Sequence, residues 1–233
     1  AIRATAEAGQ ASSWRTAANI AGTRGALKGR IGGGWLQSKG ISALTNGTER
    51  DGFASFTGNG RLELALGDNA AIDLRGFYTR GRVEYDSPFG LGGNALPESS
   101  NRQFAGYIGG RFALFDGRFV NRLSFSRTDI DRRGTDPVAF SFNNFDISGK
   151  VDRWSWQGEV RPASIATLVL GADHERTRTS TSFEGAIPDR AANQVTSAYA
   201  QLVLRPVDGL SLTGGLRHDD YSDYGGQTTF AAH

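Results

Sequence analysis

The residues that could carry catalysis or bind a metal ion are few in this chain, and they lie far apart. Histidine occurs at His174, His218 and His233, and cysteine does not occur. The lack of cysteine excludes disulfides, zinc–thiolate sites and cysteine nucleophiles. A hydrolase needs a nucleophile and a base within hydrogen-bond reach, and neither the serine near His218 nor the glutamate after His174 is enough to supply that pair. We therefore expect that the protein is not an enzyme.

The densest group of oxygen-bearing side chains is the segment RHDDYSDYG, which begins at Arg217. In a strand, alternation places His218 and Asp219 on opposite faces, so the two side chains do not converge on a metal ion. We expect Asp219 to pair with Arg217, and Tyr221 and Tyr224 to lie near a membrane interface. This segment therefore predicts charge pairing rather than a metal centre.

The sequence also contains no pattern that is typical of phosphate binding or of nucleic-acid binding. The glycine runs GGGW (32–35) and GYIGG (106–110) have neither the lysine nor the strand–loop–helix context of a phosphate-binding loop. The net charge is only +2, and the basic residues, nearly all arginine, are spread singly along the chain. Because no basic stripe forms, no nucleic-acid partner is expected.

Alternation of apolar and polar residues is the dominant pattern of the whole chain. In RLELALGDNAAIDLRGFYT (61–79), one face of a predicted hairpin carries Leu62, Leu64, Leu66, Ile72 and Leu74, and the other carries Arg61, Glu63, Asp73 and Arg75. Further apolar rows follow at Phe112 and Leu114, Leu123 and Phe125, Trp154 and Trp156, Leu168 and Leu170, Leu202 and Leu204, and Leu210, Leu212 and Leu216. One face is consistently apolar and the other consistently polar.

Short turns and long connections alternate between these strands. Tight corners occur at GTRG (22–25), GDN (67–69), FDG (115–117), RPAS (161–164) and RPVDG (205–209), spaced 44 to 48 residues apart. Long polar connections are predicted at 38–52, 83–102, 128–145 and 175–195. Outer-membrane barrels have this asymmetry, with short periplasmic turns and long extracellular loops. The alternative is a soluble β-sandwich or β-solenoid with the same alternation.

The sequence thus predicts an all-β fold, an antiparallel transmembrane β-barrel of the bacterial outer membrane. The apolar rows would face outer-membrane lipid and the polar rows an aqueous lumen. Aromatic residues at strand ends or along strands are expected at the lipid–water boundary; they are Trp14, Trp35, Tyr85, Trp154, Trp156 and Tyr199. A passive channel of about twelve strands shares these features and stays open as an alternative.

Two segments resemble the barrel of TonB-dependent outer-membrane receptors, and within that group most closely the cobalamin receptor. They are DGFASFTGNGRLELALGDNAAIDLRGFYTRGRVEYD (51–86) and RHDDYSDYG (217–225). The resemblance implies a receptor that binds a scarce ligand, cobalamin or a metal chelate, with its extracellular loops. Energised by a TonB complex acting through a plug domain, it would pass the ligand through the barrel. Iron-siderophore receptors share this architecture and are the alternative.

The resemblance also implies a particular domain organisation. Barrels of this family have 22 strands, whereas about eleven complete strands and the start of a twelfth are counted here. Residues 1–233 are therefore expected to form part of a β-barrel domain. The plug domain and the C-terminal strands are expected to lie outside this chain.

By the same resemblance, acidic residues of neighbouring loops bind calcium. Glu49 and Asp51 match the acidic pair before Gly-Phe, Asp86 follows Tyr85, and Glu98 is a looser match. Four carboxylates suit the oxygen-rich coordination of calcium, although GISAL (40–44) offers no acid where the family has one. Solvated loop acids are the alternative, and no other cofactor is expected.

The ligand-binding residues themselves cannot be assigned from the pattern. Ligand contacts are expected in the four long connections given above. The aromatic residues of these connections that could stack on a ligand are Phe89, Phe140, Phe142 and Phe183.

Overall fold

The computed structural model describes residues 1–42, 49–86, 97–136 and 144–233. Within them the chain forms twelve β-strands: β1 (Ile2–Gly9), β2 (Ser13–Arg24), β3 (Leu27–Ser38), β4 (Phe53–Ala65), β5 (Ala70–Glu84), β6 (Glu98–Leu114), β7 (Phe119–Thr135), β8 (Phe145–Ala163), β9 (Ala166–Phe183), β10 (Asp189–Leu204), β11 (Leu212–Tyr221) and β12 (Gly225–Ala232). Each strand pairs with the next in one sheet, in the order β1 to β12. In the described part of the chain, no helix has the length and apolarity that crossing a membrane requires.

The pairing keeps the two faces of the sheet distinct. Leu62 of β4 lies opposite Leu74 of β5, and the neighbouring pair on the other face is Glu63 and Asp73. We call the side of Leu62 the apolar face and the side of Glu63 the polar face. The predicted all-β, antiparallel fold is confirmed.

The apolar face is not covered by a second layer. Leu62 and Leu74 are 47% and 41% exposed, and among the described residues few apolar side chains are buried, such as Ala113, Val120 and Pro97. A soluble sandwich of this length would bury such rows between two sheets. The exposed apolar face therefore argues against the sandwich and fits a sheet whose apolar side chains meet lipid.

The predicted tight turns are present, with two displaced. Gly67 and Gly117 adopt positive φ angles of 74° and 83° in two of them, a conformation that glycine adopts without steric cost. The turn predicted at GTRG (22–25) occupies 25–26, because β2 continues to Arg24. The turn predicted at RPAS instead occupies 164–165, because β8 continues through Pro162 to Ala163. A register shift between Val160 and Ala163 accommodates this end of β8.

The long connections are shorter than predicted. The sequence predicted connections at 38–52, 83–102, 128–145 and 175–195. In the structure the strands leave connections of 39–52, 85–97, 136–144 and 184–188. At the same end of the sheet, β1 and β2 are joined by 10–12, and β11 and β12 by 222–224. The strict alternation of long and short connections is therefore wrong at the ends of the chain and holds in the middle.

The strand segments next to the long connections explain why these connections were predicted to be longer than they are. In β9, residues 177–181 (TRTST) are polar on both faces, yet they pair continuously with β10 from Thr177–Asn193 to Thr181–Asp189. A strand that continues beyond the apolar band no longer alternates in hydrophobicity, so its sequence resembles a loop. The threonines of this segment favour a strand, and they were the signal from which the strand could have been predicted.

Candidate functional site

The polar face carries a connected cluster of charges near the β4–β5 turn. Asp73 accepts hydrogen bonds from Arg61, at 3.2 Å to Nε and 3.1 Å to Nη2, and from Arg75 Nε at 2.9 Å. Arg61 also pairs with Glu63. The Arg75 guanidinium lies 4.8 Å from the centre of the Tyr107 ring. The four charged residues predicted to share a face thus form one network, not separate solvated charges.

A second cluster lies on the same face of β8 to β11. Asp173 contacts Arg153 Nη2 at 3.0 Å and Arg217 Nη1 at 3.6 Å. Arg217 Nε donates to Asp219 at 2.8 Å, as predicted, and Ser197 Oγ donates to the same carboxylate at 2.5 Å. Asp173, which precedes His174, was not among the residues predicted from the sequence. Its alternation with Glu175 on the polar face was the signal that could have found it.

Strand pairing joins the two clusters. Residues that lie directly opposite one another on successive strands form a continuous line across the polar face: Glu63, Asp73, Gly109, Ser124, Ser155, Asp173, Ser197 and Asp219. We call this line the polar ladder. It presents carboxylates and hydroxyls, and its carboxylates are paired with neighbouring arginines such as Arg61, Arg153 and Arg217. Together these groups can bind a polar surface by hydrogen bonds and charge. Since the charges largely satisfy one another, the ladder is suited to contact and not to acid–base catalysis.

Two of the three histidines, His174 and His218, lie on the opposite face. His218 Nδ1 is 2.8 Å from Thr228 Oγ1, and His174 Nδ1 is 3.0 Å from Thr196 Oγ1. His218 and Asp219 therefore point to different sides of β11, as the alternation predicted. Neither histidine joins an acidic residue in a metal-binding or catalytic pair.

Two of the predicted calcium ligands lie in the connection between β3 and β4. The Glu49 carboxylate accepts a hydrogen bond from Ser42 Oγ at 2.8 Å. The Asp51 backbone N–H donates to Ile41 O at 3.4 Å. Gly40, at φ 67°, lies so close to the Asp51 carbonyl that a side chain there would collide with it. These contacts hold the two ends of the connection, at 40–41 and at Asp51, next to each other.

The other two predicted ligands lie beyond β5 and at the start of β6. Glu98 Oε2 is 2.8 Å from Arg82 Nη2, so its carboxylate is held in an ion pair, and Asp86 follows the last residues of β5. The two connections meet where Glu84 N donates to Gly52 O at 2.8 Å. Across 1–42, 49–86, 97–136 and 144–233, no three acidic or histidine side chains form a group that could hold a metal ion. Calcium binding stays a prediction.

The predicted ligand-stacking aromatics are only partly described. Phe183 ends β9 with 54% of its surface exposed, whereas Phe89, Phe140 and Phe142 lie outside the described residues. In the connection between β5 and β6, Tyr85 N donates to the carbonyl of the buried Pro97 at 3.0 Å. Burial raises the pKa of the Tyr85 phenol, and the negative charge of Asp136 adds to that rise.

Aromatic side chains of the apolar face are close to one another across neighbouring strands. Ring centres are 6.5 Å apart for Trp14 and Trp35, and 4.6 Å apart for Phe125 and Trp154. Tyr199 is different: it lies on the polar face, with the Arg217 guanidinium 5.7 Å from its ring centre. The expectation that Tyr199 joins the other aromatics at a lipid boundary is therefore wrong, because its strand position places it beside the polar ladder.

Comparison with known proteins decides the family. Residues 6–232 match the family model described as TonB dependent receptor-like, beta-barrel. The chain belongs to this family. TonB-dependent receptor barrels are bacterial outer-membrane proteins, and they act as receptors and transporters and not as enzymes. No curated protein matches the chain.

Solved TonB-dependent receptors share the fold at low sequence identity. The alcaligin outer-membrane receptor FauA from Bordetella pertussis matches with a TM-score of 0.73 and 14% identity over 99% of this chain and 37% of its own. The iron transporter FrpB from Neisseria meningitidis matches with 0.72 and 14% identity over 100% and 42%. A mutant of the ferric enterobactin receptor PfeA from Pseudomonas aeruginosa, in complex with enterobactin, matches with 0.65 and 15% identity over 99% and 41%. The chain therefore spans about two fifths of these receptors.

Proposed function

We propose that this chain is part of the barrel wall of an outer-membrane receptor that imports a large, scarce ligand. The observation that carries this proposal is the polar ladder, which crosses eight strands on one face, while the neighbouring positions of β4 to β8 on the other face carry apolar residues such as Leu62, Leu74 and Trp154. In a TonB-dependent receptor barrel, such a ladder would line the lumen and the apolar face would contact lipid. The ligand would meet the long connections first and then move along the polar face.

The proposed partner on the inside of the barrel is a plug domain. Plugged lumens are characteristic of large outer-membrane transporters, and a TonB complex would act through the plug to release the ligand. The paired charges of the polar ladder, such as Arg153–Asp173 at 3.0 Å, provide donors and acceptors that could contact a polar plug surface. These contacts would break and re-form when the plug moves.

We infer that the transported ligand is a ferric siderophore, with cobalamin as the second candidate. The solved receptors that share the fold include those named for alcaligin and for ferric enterobactin, and this supports the ligand class without assigning a siderophore. Cobalamin rests on the resemblance of residues 51–86. The calcium ligands Glu49, Asp51, Asp86 and Glu98 belong to the cobalamin alternative, since they were assigned by the same resemblance.

A passive channel of twelve strands is a weaker candidate. A barrel of that size would have to close by pairing its first and last strands. In the sheet formed by the described residues, β1 and β12 lie at opposite edges and do not pair with each other. We therefore do not propose passive diffusion as the function.

Uptake by whole cells tests the proposal. The full-length receptor would be produced in a Gram-negative host that lacks its own siderophore and cobalamin receptors, and cells would be supplied with radioactive ferric enterobactin or cyanocobalamin. We expect accumulation of the iron chelate that disappears when the host's TonB is deleted. Accumulation of cobalamin alone would select the second candidate. Accumulation of either ligand that is unchanged without TonB would contradict the proposed mechanism.

A further inference from the structure

The apolar face of β5 and β6 carries three chemically different levels, one above the other. Strand pairing places like residues opposite one another at each level: Gly76 with Gly106, Tyr78 with Phe104, and Arg80 with Arg102. We call this arrangement the β5–β6 outer ladder. From the short turn toward the long connections, the order is an apolar floor, which is open at Gly76 and covered by the Phe104 ring at Gly106, then aromatic rings, then paired arginines.

The lowest level forms a groove. Gly60, Gly76 and Gly106 lie side by side on β4, β5 and β6 and form its floor. Leu62 and Leu74 are among the apolar side chains that line it, and the groove encloses about 660 Å³. This volume is typical of a binding site for a small molecule, roughly 300–1,000 Å³. A Cβ atom added at Gly76 would meet nothing within 4 Å, so the groove is open there.

The uppermost level is a cleft of about 370 Å³ lined by Tyr78, by four arginines and by the carboxylates of Asp131 and Asp146. Asp146 is held in an ion pair with Arg133 at 2.6 Å. Arg80 lies directly opposite Arg102, and like charges in this arrangement repel. Arg102 is partly neutralised by Asp131, at 2.6 Å from Nη2 to Oδ2. Within the described residues, no carboxylate forms an ion pair with Arg80. The cleft thus has a positive charge available for an anion, and guanidinium groups bind phosphate with two parallel hydrogen bonds.

We propose that the β5–β6 outer ladder binds an anionic lipid that carries a phosphate group. The phosphate would lie between Arg80 and Arg102, the polar–apolar junction of the lipid beside Tyr78 and Phe104, and an acyl chain in the glycine-floored groove. The order of the three levels matches the order of headgroup, junction and chain in such a lipid, and the charge of the cleft is complementary to it. The proposal depends on the membrane location of the barrel and is independent of the ligand that the receptor imports.

Filling the groove provides the first test. In the full-length receptor in dodecyl maltoside, binding of dipalmitoyl phosphatidic acid would be measured by native mass spectrometry. Gly76→Leu places a side chain in the groove, and we expect about tenfold weaker binding. Gly214→Leu is the matched control: Gly214 is also on the apolar face, an added Cβ there also meets nothing within 4 Å, and we expect unchanged binding. Equal binding by the two variants would overturn the proposal.

Removing the phosphate from the lipid, or the charge from the two arginines, provides the second test, which does not depend on the glycine variants folding. We expect wild-type receptor to bind dipalmitoyl phosphatidic acid about tenfold more tightly than dipalmitoylglycerol, which lacks the phosphate. The double variant Arg80→Gln and Arg102→Gln should bind the two lipids equally. Heat-modifiable electrophoretic mobility would verify that the barrel is folded. Inorganic phosphate at millimolar concentration should not displace the lipid. Full displacement by phosphate would reveal an ion site only, and equal binding of both lipids would reveal a nonspecific lipid surface; either result contradicts the proposal.

Discussion

Asp73 shows how a single residue organises the polar face. Its carboxylate accepts hydrogen bonds from both Arg61 and Arg75, and its side chain is only 21% exposed. The alternation of the sequence was sufficient to place these residues on one face. It could not show that Asp73 is the centre of the network, because that depends on the rotamers of long side chains and on the pairing of β4 with β5.

Replacement of Asp73 by alanine should destabilise the barrel. The change leaves two neighbouring guanidinium groups without their shared acceptor, and we expect a loss of about 1 kcal/mol in the free energy of unfolding, since both arginines are substantially exposed. Urea unfolding of the full-length receptor in detergent would measure it. Asp68→Ala, in the adjacent exposed turn, is the control and should cost less. An equal cost for both variants would show that the Asp73 network contributes nothing.

Calcium binding is the residue-scale prediction that rests on resemblance alone. If Glu49, Asp51, Asp86 and Glu98 form a site, calorimetric titration of the full-length receptor with calcium should give heat at or below millimolar metal. The double variant Glu49→Gln and Asp51→Asn should lose that heat, whereas Glu175→Gln, remote from these connections in sequence, should keep it. Absence of heat from the wild-type receptor at millimolar calcium would remove the hypothesis.

At the scale of the strands, the sequence predicts strand positions well where one face meets lipid and the other meets water, because apolar and polar residues alternate there. It predicts them poorly next to the long connections, where both faces are polar. The hairpin around GDN could be predicted to within a residue or two because glycine and leucine spacing mark its turn and its faces. The connection expected at 175–195 was wrong because residues 177–181 are polar on both sides of an extended, paired strand. The outer ladder was missed for a related reason: Arg102 lay in the connection predicted at 83–102, so its pairing with Arg80 could not be foreseen.

Hydrogen exchange should distinguish the paired strand from the connection. The amides of 177–181 are in the β9–β10 ladder and should exchange slowly. In the connection 184–188, the amides of Gly185 and Ile187 donate no backbone hydrogen bond to the described residues and should exchange fast. The measurement is mass-spectrometric hydrogen exchange on the full-length receptor in detergent. Equally fast exchange in both segments would restore the loop that the sequence predicted.

Neighbouring positions of β4 should respond in opposite ways to mutation. Leu64→Arg places a charge on the apolar face, where a lipid-exposed arginine costs up to about 2–4 kcal/mol at the bilayer midplane and less toward the interfaces. Leu64 lies near the end of β4, so we expect the amount of folded receptor in the outer membrane to fall. Glu63→Ala removes only a half-exposed partner of Arg61 and should leave folded receptor close to the wild-type amount. Surface labelling of intact cells would quantify both variants. The opposite ranking would mean that the two faces are assigned the wrong way round.

At the scale of the whole molecule, the single sheet formed by the described residues has one face suited to lipid and one suited to an aqueous lumen. Twelve strands in sequence order carry an apolar face and a polar face across the sheet, and the family match over residues 6–232 places this wall in a TonB-dependent receptor. The fold class and the family could be recognised from alternation and two short motifs. The ligand could not, because ligand chemistry depends on side chains in the long connections, where no periodic pattern constrains the sequence.

The most direct test of the central claim is the accessibility of alternate residues in living cells. The chain contains no cysteine, so single substitutions Leu62→Cys, Glu63→Cys, Asp73→Cys and Leu74→Cys would each introduce one thiol in this part of a receptor cleared of other cysteines. We predict that thiols at 63 and 73 react with a small water-soluble maleimide, and that those at 62 and 74 react only with a lipid-soluble reagent. Water-soluble labelling at 62 and 74, with protection at 63 and 73, would contradict a barrel wall with its polar face toward the lumen.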